Sequence, residues 1–307
     1  MFRLKRILFL GLMAVMLTSA TLAQDLLFNQ GLAEFDAKQY DKAAVTFKQV
    51  VAKAPANYTA HYNLGLCLYN LNRTSEASSS FQTAVNLKPD YAKATYWLGI
   101  TLYDLKQYAA ASTWFIKTTQ LEPTNARAFY RSGLVDNVTK NYVSATTALK
   151  KALSLDPSLE PAKVELGNAL NSQNLFAEAK PQFEAVLKTN PKNASAQLGL
   201  GNSYYNDKRY SESIPYYKAA ADLSPKWITA HHYLGDAYLN TNSYALAIAS
   251  YQKALAIDAV HAGSIYGLGL VYYNQKNKPL LQQQYDKLKT IDAGLAAKLL
   301  EWLNKMK

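Results

Sequence analysis

The sequence predicts an all-α fold built from eight tandem copies of a two-helix unit. Two observations carry this prediction, a fixed spacing of glycine and proline and a helical spacing of the apolar residues between them. Glycines recur every 34 residues, at Gly31, Gly65, Gly99, Gly133, Gly167, Gly201, Gly235 and Gly269. Prolines follow the same interval, at Pro55, Pro89, Pro123, Pro157, Pro191 and Pro225. A period of this length is typical of an α-solenoid, in which each unit buries its apolar face only against its neighbours.

Each unit is predicted to contain two helices joined by a tight turn. In the first segment of the second unit, apolar residues recur every three to four positions, at Tyr62, Leu64, Leu68 and Leu71. They do so again in the second segment, at Ala77, Phe81, Ala84 and Leu87, which is the spacing of one helix face. Asn72 and Arg73 form the predicted turn. Pro89 ends the second helix because proline cannot continue it.

The repeated glycines are predicted to lie where two helices cross closely. Glycine inside a helix costs roughly 1 kcal/mol relative to alanine, so close packing must offset that cost. Small residues recur twelve positions after the glycines, at Ala43, Ala77, Ala111, Ala145, Ala179, Ser213 and Ala247. Large apolar residues, here called the knobs, recur four positions further on, at Phe47, Phe81, Phe115, Leu149, Phe183, Tyr217 and Tyr251. We expect the knobs to fill the space beside the small residues.

The unit resembles the tetratricopeptide repeat. The shared features are the 34-residue length, the motif Leu-Gly-x-x-Tyr as in LGDAY at 234–238, the small residue, the aromatic knob and the proline. The resemblance implies a right-handed α-solenoid whose first helices line a concave groove, and a family made up mostly of protein-binding scaffolds. The eight repeats it implies span 24–57, 58–91, 92–125, 126–159, 160–193, 194–227, 228–261 and 262–295.

The eighth repeat is degenerate. Leu281 replaces the small alanine, and Lys278 and Pro279 open its second helix. A divergent unit is typical of the end of a repeat array. A final helix over 296–307 is predicted to cap the array, with one apolar side made of Leu299, Leu300, Trp302 and Leu303.

Residues 1–23 have the pattern of a secretory signal peptide. An apolar run over 7–17 follows the basic residues Arg3, Lys5 and Arg6, and small residues lead to Ala23. The run is shorter than the roughly 20 residues that span a bilayer, so a retained anchor is the weaker interpretation. We expect cleavage after Ala23, with Ala20 as the alternative site. The mature chain is then expected to lack a transmembrane segment and to be periplasmic or secreted, in a bacterial envelope.

The chain carries a net charge of +11. Such a balance favours acidic partners or peripheral contact with an anionic envelope surface, and it also serves simple solubility. The lysines are spread along the chain without a basic stripe or a known module, so nucleic-acid binding is not expected. The single cysteine, Cys67, is expected to be a small buried apolar residue rather than a reactive thiol.

No motif for catalysis or metal binding is found. The four histidines are His61, His231, His232 and His261. The adjacent pair points about 100° apart on a helix and does not form the i, i+4 pair that holds a metal. His-Glu-x-x-His, a phosphate-binding glycine loop and Gly-x-Ser-x-Gly are all missing from the sequence. We therefore expect no catalytic residues, no metal and no cofactor.

The resemblance implies that positions −3, −2, +1, +4 and +5, counted from each repeated glycine, line the groove. Early repeats have aromatic residues at −3 and +4, namely Phe28, Tyr62, Tyr96 and Tyr130, and Phe35, Tyr69 and Tyr103. Later repeats have asparagine at +1 and +5, namely Asn168 and Asn202, and Asn206 and Asn240. Tyrosine suits the apolar anchors of a bound segment, and asparagine can bond a peptide backbone. The alternative is that the rings pack against the next repeat and the asparagines only occupy helix ends.

Some tetratricopeptide domains hold a C-terminal carboxylate in a clamp, and that clamp is absent here as a unit. Phe28 and Leu32 occupy the slots where it has lysine and asparagine. Arg127 and Arg131, one helical turn apart, still suit an acidic group. We expect a non-enzymatic scaffold that binds extended or helical segments of envelope proteins in its groove. The alternative is an assembly factor that organises envelope polysaccharide or outer-membrane machinery, with possible glycan contact.

Overall fold

The computed structural model describes residues 24–306. Within this range the chain forms seventeen helices and no strand, so the predicted all-α fold of tandem two-helix repeats is confirmed. The chain divides into two compact units, the first ending at Asp156 and the second beginning at Pro157. The expected signal peptide lies outside the described residues.

Unit 1 contains the first eight helices. Their bounds are α1 24–36, α2 Tyr40–Lys53, α3 Tyr58–Asn70, α4 Thr74–Leu87, α5 Ala92–Asp104, α6 Tyr108–Leu121, α7 Ala126–Val138 and α8 Tyr142–Leu155. Odd-numbered helices are the first helices of their repeats, and even-numbered helices are the second. From α2 to α8, consecutive helices of unit 1 pack against each other.

Unit 2 contains the remaining nine helices. Their bounds are α9 Glu160–Ser172, α10 Phe176–Thr189, α11 Ala194–Asn206, α12 Tyr210–Leu223, α13 Ile228–Asn240, α14 Tyr244–Ile257, α15 Ala262–Asn274, α16 Lys278–Leu288 and α17 Ala293–Lys305. Consecutive helices again pack against each other, and α15 also contacts α17. From the second repeat on, every first helix begins at the first residue of the repeat implied by the sequence.

The ends of the helices follow from local chemistry. The side chain of Asn57 accepts a hydrogen bond from the backbone N–H of Ala60 at 3.0 Å, so it caps the start of α3. Helix α4 ends at Leu87, two residues before Pro89. Both observations match the predicted helix boundaries to within about a residue.

The turn between the two helices of a repeat has a left-handed residue, which in no repeat is glycine. The residues with positive φ are Lys38, Asn72, Lys106, Lys140, Asn174, Lys208, Asn242 and Lys276, with φ between 57° and 64°. At the first turn of the second repeat, the Arg73 N–H donates to the Leu68 carbonyl at 2.9 Å. This bond satisfies a carbonyl at the end of α3 and reverses the chain. The predicted turn at Asn72 and Arg73 is confirmed.

In repeats one to seven, the core is the knob seated against the repeated glycine. A Cβ placed on Gly65 would lie 2.6 Å from the Phe81 ring, and one on Gly99 would lie 2.8 Å from the Phe115 ring. Phe81 and Phe115 have no exposed surface, and neither has Ala77. The predicted close crossing of the two helices is therefore confirmed.

The same close packing against a knob explains two glycines outside the 34-residue series, Gly199 and Gly267. A Cβ on Gly199 would lie 2.2 Å from the Phe183 ring, and one on Gly267 would lie 2.4 Å from the Tyr251 ring. Each occupies position −2 of its repeat and faces the knob of the preceding repeat. Knobs therefore contact two first helices, their own and the next.

The last helix, α17, closes the array. In repeat eight the space above Gly269 is filled by Leu299, which would lie 2.6 Å from an added Cβ. Leu299 and Leu303 are buried and the Trp302 ring lies 4.6 Å from the Tyr273 ring. The expectation that Leu300 shares this apolar side is wrong, because Leu300 is 39% exposed. The face that packs on α15 and α16 is narrower than the run of apolar residues.

Three further expectations concern reactive groups and membranes. Cys67 is fully buried and unpaired, and burial raises the pKa of its thiol to about 12, as expected for an unreactive apolar residue. Between residues 24 and 306, no three His, Cys, Asp or Glu side chains are grouped as metal ligands would be. Over the same range, none of the helices has both the length and the apolar character of a membrane span.

Candidate functional site

The aromatic residues at −3 of repeats one to three lie half-buried against the knobs of their own repeats. Ring centroids are 5.6 Å apart for Phe28 and Phe47, 5.8 Å for Tyr62 and Phe81, and 5.9 Å for Tyr96 and Phe115. These distances are those of favourable aromatic pairs. The rings therefore contribute to packing within the repeat and keep part of their surface open to solvent.

Tyr62 has a second aromatic contact besides its knob. Its ring also meets Tyr91 at 5.2 Å, in the loop before α5. Burial, with Tyr91 nearby, raises the pKa of Tyr62 to about 12. Tyr91 is the last residue of the same repeat, whereas the Trp97 side chain of the next repeat hydrogen-bonds Tyr62 and lowers this pKa against the larger effect of burial.

The aromatic residues at +4 lie near the end of each first helix, beside the inter-helix turn. Phe35 packs on Tyr40 at 5.2 Å and Tyr103 packs on Tyr108 at 5.4 Å, both edge to face. Tyr69 is bound differently, because its hydroxyl donates to Asp104 Oδ2 at 2.8 Å. Asp104 is at +5 of the next repeat, so this bond joins neighbouring first helices on the face they share.

Trp97, at −2, was not among the candidate residues and belongs to this surface. Its ring stacks on Phe81 at 6.0 Å and meets Tyr69 edge to face at 5.1 Å. The signal in the sequence was that −2 of the third repeat carries the largest side chain found at any −2 position. Rings at −3, −2 and +4 therefore form one aromatic surface on α1, α3 and α5.

The two arginines lie on α7 at different depths. Arg127 is exposed, whereas Arg131 is half-buried with its guanidinium carbon 5.7 Å from the centre of the Tyr130 ring. That arrangement is a cation–π contact. Arg131 also acts on Tyr69 as a positive charge, lowering the pKa of that hydroxyl against the larger effect of burial. Arg131 thus lies beside the aromatic surface of unit 1, and Arg127 is exposed one turn earlier on the same helix.

In unit 2 the polar residues at +1 pair with tyrosine knobs. The Tyr217 hydroxyl donates to Asn202 Oδ1 at 2.9 Å, and the Tyr251 hydroxyl donates to Asp236 Oδ1 at 2.6 Å. The sequence contained this signal, because tyrosine replaces phenylalanine as the knob in the two repeats with Asn202 and Asp236 at +1. A buried hydroxyl needs an acceptor, and +1 lies within reach of the ring tip. Asn168, in a repeat with a phenylalanine knob, is half-buried at the same position.

The asparagines at +5 are exposed. Asn240 donates to the Tyr205 hydroxyl at 2.9 Å and to its own helix at the Asp236 carbonyl, 2.8 Å away. The bond to Tyr205 repeats the pattern of Tyr69 and Asp104, a +4 tyrosine joined to the +5 residue of the next repeat. Asn206 borders a cavity of about 170 Å³ between α11 and α13.

A network of titratable groups continues from this cavity into the last repeats. His232 Nε2 lies 3.4 Å from Asp236 Oδ2, and His232 Nδ1 lies 3.4 Å from Ser264 Oγ. Burial raises the pKa of Asp236 to about 6. Burial, with His261 nearby, lowers the pKa of His232 to about 4, so this imidazole is neutral at neutral pH.

The order serine, histidine, aspartate is that of a hydrolytic triad, but the geometry does not support one here. Ser264 has no exposed surface, and its hydroxyl also contacts His261 Nδ1 at 2.8 Å. A nucleophile needs an open approach for the substrate carbonyl and a short bond to its base. These three groups form a structural network.

Comparisons with known proteins agree on the repeat. Models of families described as tetratricopeptide repeat match residues 34–86, 68–118, 164–226 and 228–259. Together the matched residues make up more than half of the chain. No curated protein shows a significant match by sequence.

Solved structures show the same fold at low identity. YrrB, described as a TPR protein with an unusual peptide-binding site, is 23% identical over 61% of this chain and 96% of its own, with a TM-score of 0.54. A tetratricopeptide repeat protein from Parabacteroides merdae is 17% identical over 81% of this chain and 98% of its own, with a TM-score of 0.62.

A third structure, the APC/C hetero-tetramer Cut9-Hcn1, is 17% identical to this chain. The match covers 91% of this chain and 55% of that one, with a TM-score of 0.66. At identities this low, the structural matches show a shared fold and do not show a shared function. Taken with the repeat matches, the glycine–knob packing and the two-helix units, they show that the chain belongs to the tetratricopeptide repeat family.

Proposed function

We propose that this protein is an exported, non-enzymatic scaffold that binds extended or helical segments of envelope proteins on its first-helix face. That face is defined as positions −3, −2, +1, +4 and +5 of the repeats. The observation that supports binding most directly is the aromatic surface of unit 1, where rings on α1, α3 and α5 remain only half-buried. Half-exposed rings in a row offer large contact area at low entropic cost.

The type of partner follows from the same residues. Tyr69 and Tyr103 are half-buried and offer ring surface for apolar anchors, and Arg127 and Arg131 on α7 add positive charge. A segment with apolar side chains and an acidic group complements this set. YrrB, a protein of the same fold, is described as having a peptide-binding site, which supports a peptide-like ligand on the repeats of this chain.

The proposed location depends on residues 1–23. We test it by fusing residues 1–30 to a reporter enzyme and following export and cleavage in a bacterial host. Delivery to the periplasm in cleaved form supports export. Full-length reporter retained in the membrane identifies a signal anchor, and reporter in the cytoplasm contradicts the proposed location.

Binding is tested by capture from envelope extract with the mature protein, read by mass spectrometry. The variant Tyr69→Ala with Tyr103→Ala removes two rings of the first-helix face. Ile116→Ala is the matched control, because Ile116 is an apolar residue of a second helix and is 47% exposed. We expect the double variant to lose specific partners that the control keeps. Equal capture by all three proteins would contradict the proposed site.

A further inference from the structure

The cavity between α11 and α13 has a composition unlike the rest of the first-helix face. We call it the tyrosine pocket and define it by its lining residues, Asn202, Tyr205, Asn206, Tyr217, Tyr233 and Asp236. It combines three aromatic rings with one carboxylate in a volume of about 170 Å³. At roughly 30 Å³ for each water in the liquid, that is room for about six waters or one long side chain.

The three rings border the pocket at an angle to one another. Tyr205 and Tyr217 have centroids 6.2 Å apart and planes inclined by 57°, while Tyr217 and Tyr233 are 5.7 Å apart and inclined by 50°. Tilted rings enclose a concave space that parallel stacking would fill. Tyr217 is buried, and Tyr205 and Tyr233 are half-buried. Two of the three rings that line the pocket therefore keep part of their surface open to solvent.

The carboxylate of the pocket has hydrogen bonds and lacks a cation. Its Oδ1 accepts from Tyr251 and its Oδ2 faces His232, which is neutral at neutral pH. In the described part of the chain, neither lysine nor arginine pairs with Asp236, although its side chain is 26% exposed. A partly buried carboxylate with neutral donors only keeps its negative charge uncompensated.

We propose that the tyrosine pocket binds the positively charged side chain of a lysine or arginine in the segment held on the first-helix face. The faces of tyrosine rings attract cations, and attraction is strongest where water is excluded. The carboxylate adds an opposite charge at the same place, and Asn206 at the rim offers hydrogen bonds to the backbone beside that side chain. This inference rests on the proposed function for the identity of the ligand, whereas the chemistry of the pocket stands by itself.

The pocket is tested first with small probes on the full mature protein. Tyrosine ring signals in NMR spectra are followed during titration with n-butylammonium chloride, with n-butanol as the neutral isostere and sodium chloride as the ionic-strength control. We expect saturable shifts of pocket tyrosines with the ammonium probe alone. Shifts of equal size with n-butanol, or with sodium chloride, would overturn the proposal.

Variants locate the binding. Asp236→Asn keeps an acceptor for the Tyr251 hydroxyl and removes the charge, and we expect at least tenfold weaker binding of n-butylammonium. Asp222→Asn is the matched control, because Asp222 is an exposed aspartate on α12, and it should bind as the wild type does. Tyr233→Leu is a second variant that removes a ring and leaves the carboxylate, so that loss of folding in one variant does not decide the result. Unchanged affinity in both pocket variants would overturn the proposal.

A peptide probe separates this proposal from the function it rests on. The peptide Ac-AAKAA-NH2 is compared with its norleucine counterpart. Tighter binding of the lysine peptide than of n-butylammonium supports both pocket and groove. If n-butylammonium binds and the lysine peptide binds no more tightly than it does, the cation site in the tyrosine pocket is supported and segment binding on the first-helix face is contradicted. If neither cation binds while the protein still captures partners, segment binding on the first-helix face is supported and the cation site in the tyrosine pocket is contradicted.

Discussion

At the scale of single residues, one substitution type explains most of the polar character of unit 2. Where the knob is tyrosine, as at Tyr217 and Tyr251, position +1 is polar and accepts the hydroxyl proton. Where the knob is phenylalanine in unit 1, as at Phe81 and Phe115, position +1 is Leu66 or Ile100. Asparagine at +1 therefore has a structural role in repeat six that is separate from any contact with a partner.

This rule makes a prediction for repeat five, which has Asn168 at +1 below a phenylalanine knob. Phe183→Tyr should be tolerated to within about 1 kcal/mol, because the new hydroxyl has an acceptor, whereas Phe115→Tyr should cost about 1–3 kcal/mol with only Ile100 there. Urea denaturation of the two variants measures the difference. Equal losses of stability would contradict the pairing of knob and +1 residue.

The pair Asp236 and His232 makes a prediction about pH. Between pH 4 and 6 the folded pair holds one proton, since the pKa of Asp236 is about 6 and that of His232 about 4. The unfolded pair also holds one proton there, on the histidine, from ordinary values of 3.8 and 6.5. The pair therefore takes up no proton on unfolding, and its contribution to stability is flat across this window.

Either substitution should break this balance. In Asp236→Asn only the histidine remains, its folded pKa stays depressed, and stability should fall as pH drops from 6.5 to 4, by up to about 1.4 kcal/mol per pH unit. In His232→Gln only the raised carboxyl pKa remains, so stability should fall as pH rises from 4 to 6. The other titratable groups facing the pair are Tyr205, Tyr217, Tyr233, Tyr251 and His261. The free energy of unfolding of the wild type and both variants is measured by denaturation at pH 4, 5 and 6. The same change of this free energy with pH in all three proteins would refute the assignment.

At the scale of elements, the repeated period determines the helices and their crossings. It does not determine which side chains of neighbouring repeats bind each other. The spacing of glycine, alanine and knob predicts α3, α4 and the contact of Gly65 with Phe81 because each depends only on position along a helix. The bond from Tyr69 to Asp104 joins residues 35 apart and depends on rotamers and on the rotation between repeats, which the period does not specify. The prediction for Leu300 is wrong for a related reason, because hydrophobicity alone does not show how wide the packed face of α17 is.

The left-handed turns provide a prediction at this scale. Lys106 has φ 60°, a conformation that costs a residue with a side chain roughly 1–2 kcal/mol and costs glycine far less. After the larger entropy that glycine loses on folding, Lys106→Gly should still stabilise the protein by about 0.5–1 kcal/mol. Lys48→Gly is the opposite control, because Lys48 is exposed within α2 and should lose about 1 kcal/mol. Thermal melting of both variants measures this, and a lower midpoint for Lys106→Gly would contradict the account of the turn.

At the scale of the whole molecule, the sequence predicts the family and the candidate surface, and the structure assigns a different chemistry to each unit. The rings of unit 1 were found from the sequence because they repeat at one spacing. The tyrosine pocket of unit 2 was not, because it combines a −2 ring, a knob, a +4 ring and a +1 carboxylate from two repeats. The aromatic surface of unit 1 suits apolar anchors, and the tyrosine pocket of unit 2 suits a cationic side chain.

The two chemistries also predict different salt dependence. Binding through the tyrosine pocket and the arginines should weaken as ionic strength rises, because exposed charge interactions are screened over roughly 10 Å at 0.1 M salt. Binding through the rings should not. A captured partner is therefore expected to lose affinity with added salt less steeply in Arg127→Ala with Arg131→Ala than in wild type. Identical salt slopes in both proteins would exclude the arginines from the interface.

The central claim, that partners are held on the first-helix face, is tested most directly by site-specific crosslinking in cells. A photoreactive p-benzoylphenylalanine replaces Asn70 or Asn206, both exposed at +5, or replaces Ile116 on a second helix as the control. We predict that the same envelope protein is crosslinked from positions 70 and 206 and that position 116 gives no such adduct. Adducts from position 116 with none from either first-helix position would contradict the claim.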